Sequence, residues 1–162
     1  MKVTVVSFEK KDFAALRAFM TPIWKKTYAF LPEDQVELLL DKYFSPEGIA
    51  RYIGEGYEYF RILLDGAFAG VLVIVEREAE VYIDKLYLDE GARGQGVPAE
   101  IFDLLAKWGK DIALNVNRQN VPAVRCYLKN GFAVAEEQEI VLENGKINHD
   151  YRMVRRSDFF KK

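Results

Sequence analysis

The chain has 162 residues, half of them hydrophobic, which suffices to bury the core of one domain over residues 1–162 but not of two. A formal net charge of −2, without a basic stripe, gives no electrostatic support for nucleic-acid binding. The single cysteine, Cys126, excludes an internal disulfide and is typical of a reducing compartment. The longest apolar run, residues 67–75, is too short to cross a membrane. We therefore expect a cytoplasmic protein with no membrane partner.

The N-terminal third alternates between strand and helix patterns. Residues 2–8 are rich in valine and predict a first strand. Asp12 is placed to cap a helix with regularly spaced apolar residues, and Pro22 is expected to break or restart that helix. Pro32 begins a second helix, and residues 45–47 (Ser-Pro-Glu) are a capping signal for a third.

The middle of the chain predicts an antiparallel meander followed by a parallel crossover. Two strands, 57–64 and 68–76, are joined by Asp65-Gly66, a hairpin turn signal. A third strand, 80–88, is rich in aromatic and β-branched residues. It leads through a glycine-rich loop into a helix that runs to Lys110.

The C-terminal third predicts a strand, a helix and a closing hairpin. These segments are residues 112–116, residues 120–130 with Gly131 as a stop signal, and strands 133–142 and 147–154 around the turn Asn144-Gly145. Together the elements predict an α/β (α+β) fold. Its sheet is single, mixed and mostly antiparallel, with seven strands, a central parallel crossover and helices on both faces.

The loop at residues 89–96 is the strongest chemical signal in the chain. Its glycines let the backbone approach an anion closely, and the following helix points N–H groups and a positive dipole at it. Residues 94–99 formally match the dinucleotide fingerprint G-x-G-x-x-G/A, but no acidic residue follows about 20 positions later. The loop also lacks the Lys-Ser/Thr ending of a nucleoside-triphosphate P-loop, so a different phosphate carrier is indicated.

A set of motifs accounts for more of the chain. They are Lys85-Leu-Tyr-Leu88, Arg93-Gly-Gln-Gly96, Leu114-Asn-Val-Asn117, Asn120, Ala123 and Tyr127-Leu-Lys-Asn-Gly-Phe132. In this order they resemble the GCN5-related N-acetyltransferase (GNAT) superfamily. Resemblance to its bacterial small-amine and polyamine acetyltransferase branch comes from Trp24, Thr27, Tyr28 and Asp150-Tyr-Arg-Met153. The resemblance implies acetyl-coenzyme A (acetyl-CoA) as co-substrate and a small-molecule primary amine as acceptor, and it leaves a homodimer open as a partner.

The resemblance also implies which residues bind acetyl-CoA. The backbone of Leu86 and Leu88 would pair with the amides of the pantetheine arm. The remaining cofactor contacts would come from Arg93, Gly94, Gln95, Gly96, Val97, Ala99, Asn120 and Tyr127. The family pattern has a small residue where this chain has Pro98, which lacks an N–H. Either the other amides suffice, or the domain no longer binds the cofactor.

Tyr127 is the candidate general acid for the departing thiolate. Asn120, Ala123 and Tyr127 are spaced to share one helix face, while Val124 and Leu128 are expected to pack inward. An ordinary half-buried tyrosine is the alternative. The resemblance favours the role of general acid, because the neighbouring motif residues match the family pattern at the same spacing.

Asp84 is the candidate general base. An alkylamine with a pKa near 10.4 costs about 4–5 kcal/mol to deprotonate at pH 7. A carboxylate within so apolar a strand is expensive unless it is paired or used. A structural ion pair with a basic side chain of a neighbouring element is the alternative, and the resemblance does not decide between the two.

The acceptor side is predicted from aromatic residues. Trp24, Tyr28 and Phe30 are candidates for the wall of an amine pocket, with core packing as the alternative for at least two of them. No cluster of metal ligands is visible in the sequence, and Cys126 and His149 are interpreted as a small buried thiol and a solvated side chain. Two other functions stay open: acetylation of a protein N-terminus or lysine, and a non-catalytic coenzyme A-binding or ligand-binding module that is degenerate at Pro98.

Overall fold

The computed structural model describes residues 1–142 and 145–158, and within them the chain forms seven strands and five α-helices. The strands are β1 (Val3–Ser7), β2 (Tyr57–Leu64), β3 (Ala67–Glu76), β4 (Glu80–Leu88), β5 (Asp111–Asn117), β6 (Ala133–Val141) and β7 (Ile147–Arg155). The helices are α1 (Phe13–Thr27), α2 (Glu33–Phe44), α3 (Pro46–Gly54), α4 (Val97–Ala106) and α5 (Val121–Lys129).

The seven strands form one sheet in the order β1-β2-β3-β4-β5-β7-β6. Neighbouring strands are antiparallel except β4 and β5, which are parallel and are connected through α4. The fold prediction of a mixed, mostly antiparallel sheet with a central crossover is confirmed. The β2–β3 hairpin turns where expected, at Asp65 and Gly66, with φ angles of +50° and +84°.

The sheet has an apolar core on each face. The two cores meet in β3, where Val71 and Val73 face a cluster formed with α1, α2 and α3. Leu72 and Ile74 face the cluster formed with α4. All four side chains are buried. Because both faces of β3 are covered, the strand needs no polar alternation, which explains the continuous apolar run at residues 67–75.

The sheet splits between β4 and β5. β4 pairs with β5 only at residues 80–83. At the same point the register with β3 shifts, so that Asp84 becomes an extra residue between Ile83 and Lys85, a β-bulge. A bulge bends the strand that contains it. The second half of β4 therefore diverges from β5, and no strand of the described chain pairs with its outer edge.

Pro22 does not interrupt α1, contrary to the sequence-based expectation. The helix is continuous on both sides of it, and Leu16, Met20 and Trp24 are buried along its length. Burying each of these large side chains stabilises the fold by about 1.5–3 kcal/mol. Their sum exceeds the roughly 3 kcal/mol cost of an interior proline, so tertiary packing keeps the helix intact.

Two other local expectations are corrected. The Asp12 carboxylate accepts a hydrogen bond from the backbone N–H of Glu9 at 3.1 Å and makes no side-chain cap to α1. α4 ends at Ala106, earlier than expected, and the chain then turns at Gly109 with a φ angle of +75°. The predicted turn residue Asn144 lies outside the described residues.

Candidate active site

The glycine-rich loop forms the entrance to α4. Gly94 and Gly96 have φ angles of +74° and +77°, a region that residues with a Cβ atom rarely enter. Gly96 is the N-cap residue of α4, so the amides of the first turn have no acceptor within the helix. Arg93 Nε donates a hydrogen bond to the carbonyl of Leu88 at 3.2 Å and ties the loop to the end of β4.

Three neighbours of these glycines have separate roles. The Gln95 side chain donates a hydrogen bond to the carbonyl of Gly91 and holds the loop together. The side chain of Val97 is buried in the core, so only its backbone can face a ligand. Pro98 occupies the second position of α4, where proline suits the helix but removes one N–H.

A cleft of about 720 Å³ opens at the split between β4 and β5. Its walls are the free end of β4, the glycine loop, the first turn of α4 and one side of α5. Residues that the sequence analysis connected with acetyl-CoA line it: Leu86, Leu88, Arg93, Gly94, Gly96, Ala99 and Tyr127. Small-molecule sites typically measure about 300–1,000 Å³, so the cleft is large enough for part of such a ligand.

α5 contributes cationic side chains that the sequence analysis did not connect with the site. Arg125 and Lys129 both line the cleft, and together with Arg93 they give it positive charge suited to phosphate groups. The sequence could have indicated this role, because Arg125 and Lys129 are spaced i, i+4 and therefore share a face of the helix that carries Tyr127. Cys126 also lines the cleft, but burial raises the pKa of its thiol, which makes it a poor nucleophile.

Asn120 is a helix cap. Its Oδ1 accepts a hydrogen bond from the backbone N–H of Ala123 at 3.4 Å at the start of α5. It is not among the residues that line the cleft, and its contact with the cofactor stays a prediction. The expectation for Leu128 is wrong: this side chain is 50% exposed, because α5 packs on the core through Val124 and Tyr127 instead.

Two phenylalanines fix the Tyr127 ring. Its centroid lies 6.1 Å from that of Phe102 and 5.7 Å from that of Phe132, and both phenylalanines are buried. Burial, together with the neighbouring Cys126, raises the pKa of Tyr127 to about 12. The phenol is therefore protonated at neutral pH and is a hydrogen-bond donor in the wall of the cleft.

Asp84 lies at the bulge of β4 and forms an ion pair. Lys85 Nζ is 2.5 Å from its carboxylate and 4.5 Å from the centroid of the Tyr43 ring. The alternative predicted from the sequence was an ion pair with a neighbouring element, whereas the observed partner is the next residue of the same strand. Because Lys85 Nζ lies against the Tyr43 ring of α2, the ion pair is on the face of the sheet that α1, α2 and α3 cover. Burial, with the Asp84 charge as a further cause, raises the pKa of Tyr82 to about 12.

Glu80, at the start of β4, is engaged by two arginines. Arg77 lies 3.0 Å from its carboxylate, and Arg152 donates further hydrogen bonds to it. Burial acts to raise the pKa of Glu80, but the hydrogen bonds from these arginines outweigh it and lower the pKa. Glu80 is therefore a weaker base than a free carboxylate and is poorly suited to accept a proton from an amine.

Of the three aromatic residues predicted at the acceptor side, Phe30 lies in the same cavity lining as Tyr28, and Trp24 has a different environment. Trp24 is 3% exposed and packs edge-on against Tyr28 and Tyr43, with ring centroids 5.5 and 5.6 Å away. Tyr28 lines a second cavity of about 200 Å³ at the end of α1, beside α2 and the end of β6. Tyr28 can therefore contact a ligand, whereas Trp24 packs behind Tyr28 in the core.

A family model described as an acetyltransferase (GNAT) domain matches residues 29–154. The chain belongs to this family. The matched range contains the bulged strand, the glycine loop and α5, which are the parts that form the cleft of this GNAT domain. The sequence-based prediction of a GNAT acyltransferase is thereby confirmed at the level of the family.

Solved structures share the architecture of this GNAT domain. The PaiA N-acetyltransferase of Thermoplasma acidophilum, solved in complex with coenzyme A, is 20% identical, with a TM-score of 0.69 over 96% of this chain and 99% of that chain. The dodecameric spermidine N-acetyltransferase of Vibrio cholerae is 15% identical, with a TM-score of 0.67 over 98% and 95%. At sequence identities of 20% and 15%, this structural similarity shows that the fold is shared.

Among curated proteins, the peptidyl-lysine N-acetyltransferase YjaB of Salmonella typhimurium is 34% identical over 59 residues. The aligned segment covers 36% of this chain and spans only 41% of the length of YjaB. Because the overlap is short, it does not identify the acceptor of this GNAT domain, which has to be inferred from the domain's own residues.

Two kinds of feature are absent from the described part of the GNAT domain. No helix there is long and apolar enough to traverse a bilayer. No group of three or more His, Cys, Asp or Glu side chains there is arranged to hold a metal ion. His149 Nδ1 lies 3.9 Å from the Glu139 carboxylate on the closing hairpin and is about half exposed, as expected for a solvated side chain.

Proposed function

We propose that this GNAT domain transfers an acetyl group from acetyl-CoA to the primary amine of a small molecule by direct attack. The split between β4 and β5 carries the proposal, because Leu86 and Leu88 pair with β3 on one side and have no partner strand on the side of β5, next to the glycine loop. An extended pantetheine arm can pair with such a free strand edge as a peptide does. The amine nitrogen attacks the acetyl carbon, the C–S bond breaks, and the thiolate leaves and takes up a proton.

The fit to a diphosphate rests on backbone amides and basic side chains. The first turn of α4 offers free N–H groups and the positive end of a dipole, and Arg93, Arg125 and Lys129 add charge. Pro98 removes one amide. A lost charge-assisted hydrogen bond of about 1.5–3 kcal/mol weakens binding by about 10- to 100-fold. The other donors remain, which supports a weakened site over an abolished one.

Tyr127 is proposed to act on the departing sulfur. A phenol with a pKa of about 12 stays protonated at neutral pH, whereas a thiol has an ordinary pKa of about 8.5. Complete proton transfer from this phenol to a thiolate would be uphill by about 5 kcal/mol, at 1.36 kcal/mol per pKa unit. Tyr127 therefore acts as a hydrogen-bonding acid that stabilises the leaving thiolate, and the proton lost by the attacking amine can neutralise the sulfur.

Asp84 is proposed as the base that takes a proton from the ammonium group, directly or through water. Asp84→Asn is expected to lower kcat/KM for the amine about 100-fold at pH 7. The loss should shrink at about pH 9.5, where more of the amine is already neutral. Thiol release measured across this range checks the prediction. A lower melting temperature without the pH-dependent loss of rate would limit Asp84 to its ion pair with Lys85.

Binding of acetyl-CoA separates an enzyme from a non-catalytic module. At 100 times its Kd, acetyl-CoA is expected to add about 2.7 kcal/mol to the free energy of unfolding. Pantetheine, which lacks the diphosphate, is the control and should shift the melting temperature less. The proposal would be contradicted if acetyl-CoA did not shift the melting temperature of the unaltered protein but did shift that of Pro98→Ala. That result would identify a site that is degenerate at Pro98.

A protein lysine or N-terminus is the second candidate acceptor. The overlap with a peptidyl-lysine N-acetyltransferase favours it. Thiol release, measured with a lysine-containing peptide and with a panel of small primary amines, distinguishes the two classes of acceptor. A homodimer, a cytoplasmic location and a single domain over residues 1–162 stay predictions.

A further inference from the structure

A cavity of about 380 Å³ lies between α4 and the first three strands of the sheet. Its walls are the second half of α4, the edge strand β1 and single side chains of β2 and β3. The lining includes Val3, Val5, Phe60, Leu72, Ile101 and Leu105. This cavity and the cofactor cleft share no described lining residue, so the two are separate sites along the same helix.

The walls of this cavity are apolar because they belong to the core beneath α4. Leu72, Ile101 and Leu105 are buried members of that core, and Val5 and Phe60 pack against it from the edge strands. Such walls offer water few hydrogen-bond partners. The cavity therefore suits the apolar body of a ligand.

Lys107 is the one charged residue in the described lining of the cavity. It is exposed and directly follows α4. Asp103, four residues earlier, has the spacing of a helical ion-pair partner, but it lies 3.1 Å from Arg155 instead. Asp111, the next acid along the chain, lies 3.5 Å from Arg156. The open side of the cavity thus carries a positive charge that these two carboxylates do not neutralise.

Trp108 lies beside Lys107 in the same lining. It is 43% exposed, so a large part of the indole is left for a ligand to cover. The other tryptophan of the chain, Trp24, is 3% exposed and packs in the core on the opposite face of the sheet. Trp108 is therefore the tryptophan whose fluorescence reports a ligand in this cavity.

From this arrangement we infer that the cavity binds a medium-chain carboxylic acid, such as the free fatty acid octanoate. The alkyl chain fills the cavity against Phe60 and Leu105, and the carboxylate pairs with the Lys107 ammonium group at the open side. The volume lies within the range of about 300–1,000 Å³ for small-molecule sites, in which apolar walls are combined with a few polar groups that fix orientation. The inference does not depend on the proposed acetyl transfer.

Charge and size select this occupant over others. An alkylamine would place a second positive charge beside Lys107, where like charges repel. An alcohol of the same length would fill the cavity without gaining an ion pair. A single turn of α-helix, about 10–12 Å wide and about 5.4 Å long, already exceeds the cavity in volume, so a partner protein could insert only side chains.

Binding is tested with octanoate, octylamine and octanol, which share one chain and differ in the head group. Titration calorimetry gives each Kd, and the change in Trp108 fluorescence locates the ligand. Octanoate should bind about tenfold more tightly than octylamine, with octanol between them. Hexanoate is two methylenes shorter and should bind roughly tenfold more weakly than octanoate, because each buried methylene strengthens binding by about fourfold.

Variants of Lys107 test the role of its charge at an exposed position, where folding is little affected. Lys107→Glu should reverse the order, so that octylamine binds more tightly than octanoate. Lys107→Gln should weaken octanoate binding by up to about fivefold, as for an exposed ion pair, and leave octanol unchanged. Lys110 does not line the cavity, and its Nζ lies 2.8 Å from Glu76. Lys110→Gln is the matched control and should change the Kd of octanoate by less than about twofold.

Trp108→Ala removes the aromatic part of the rim and should weaken octanoate binding by about tenfold in calorimetry. Octylamine binding as tightly as octanoate, or an unchanged order in Lys107→Glu, would overturn the inference. Octanoate that gave neither heat nor a change in Trp108 fluorescence would overturn it too. Sedimentation completes the test: a dimer that Trp108→Ala converts into monomers would show that a second copy covers this surface, and it would also contradict the inference.

The thermal shift with acetyl-CoA, read on the same variants, keeps this site apart from the proposed function. It should be unchanged in Lys107→Glu and Trp108→Ala, because neither residue lines the cleft. Octanoate binding without a shift by acetyl-CoA would support the cavity site and count against the transferase. A shift by acetyl-CoA without octanoate binding would support the cofactor site and overturn the inference about the cavity.

Discussion

Tyr127→Phe is expected to lower kcat for acetyl transfer about 100-fold or more, while the Kd of coenzyme A changes by less than about twofold. The substitution removes the hydroxyl that stabilises the leaving sulfur, but it keeps the ring in place between Phe102 and Phe132. Steady-state thiol release gives kcat, and calorimetry with coenzyme A gives Kd. Because the phenol has a pKa of about 12 and stays protonated, the effect should be constant between about pH 7 and pH 9.

The control removes the same atom from a tyrosine outside the cleft. Tyr52 stacks on Tyr43 at 5.3 Å between ring centroids and does not line the cleft, so Tyr52→Phe should leave kcat within about twofold. If Tyr127→Phe lost kcat and coenzyme A affinity in equal measure, Tyr127 would be a packing residue of the cofactor site, and stabilisation of the thiolate would have to come from another donor.

The central stretch of this fold is predictable because its signals are local. β4 spans residues 80–88, as its aromatic and β-branched composition indicates. Gly94 and Gly96 adopt the positive φ angles that a close backbone approach to an anion favours. Turn chemistry likewise places the β2–β3 hairpin at Asp65 and Gly66. Each of these features depends on a few neighbouring residues, which a single sequence displays directly.

Features that depend on distant segments are not predictable in this way. The bulge at Asp84 exists only when β3 and β4 are paired, and it moves an apparently buried acid into a partly exposed position. Pro22 is tolerated because the residues before and after it pack on the sheet. The cavity beside Tyr28 combines the ends of α1 and β6 with α2, so no local pattern indicates its shape or the apolar character of its described lining.

Phe102→Ala is expected to lower the free energy of unfolding by about 3–5 kcal/mol. At about 2–4 °C per kcal/mol for a domain of this size, the melting temperature should fall by roughly 6–20 °C. Phe102 is fully buried on α4, and its ring meets that of Phe132 at 4.9 Å. Truncation therefore leaves a cavity between α4 and the start of β6. Scanning calorimetry measures the shift, and Leu128→Ala, at a half-exposed position, is the control expected within about 0.5 kcal/mol.

The same substitution links stability to catalysis, because Phe102 also supports the Tyr127 ring at 6.1 Å. At a temperature where the variant is still folded, kcat should fall, and Tyr127→Phe added to Phe102→Ala should lower it little further. Both changes act through one hydroxyl, so their effects are not expected to add. Full kcat in a destabilised Phe102→Ala would mean that Phe132 alone positions Tyr127, and the packing of α4 against α5 would then stabilise the fold without directing the phenol to the sulfur.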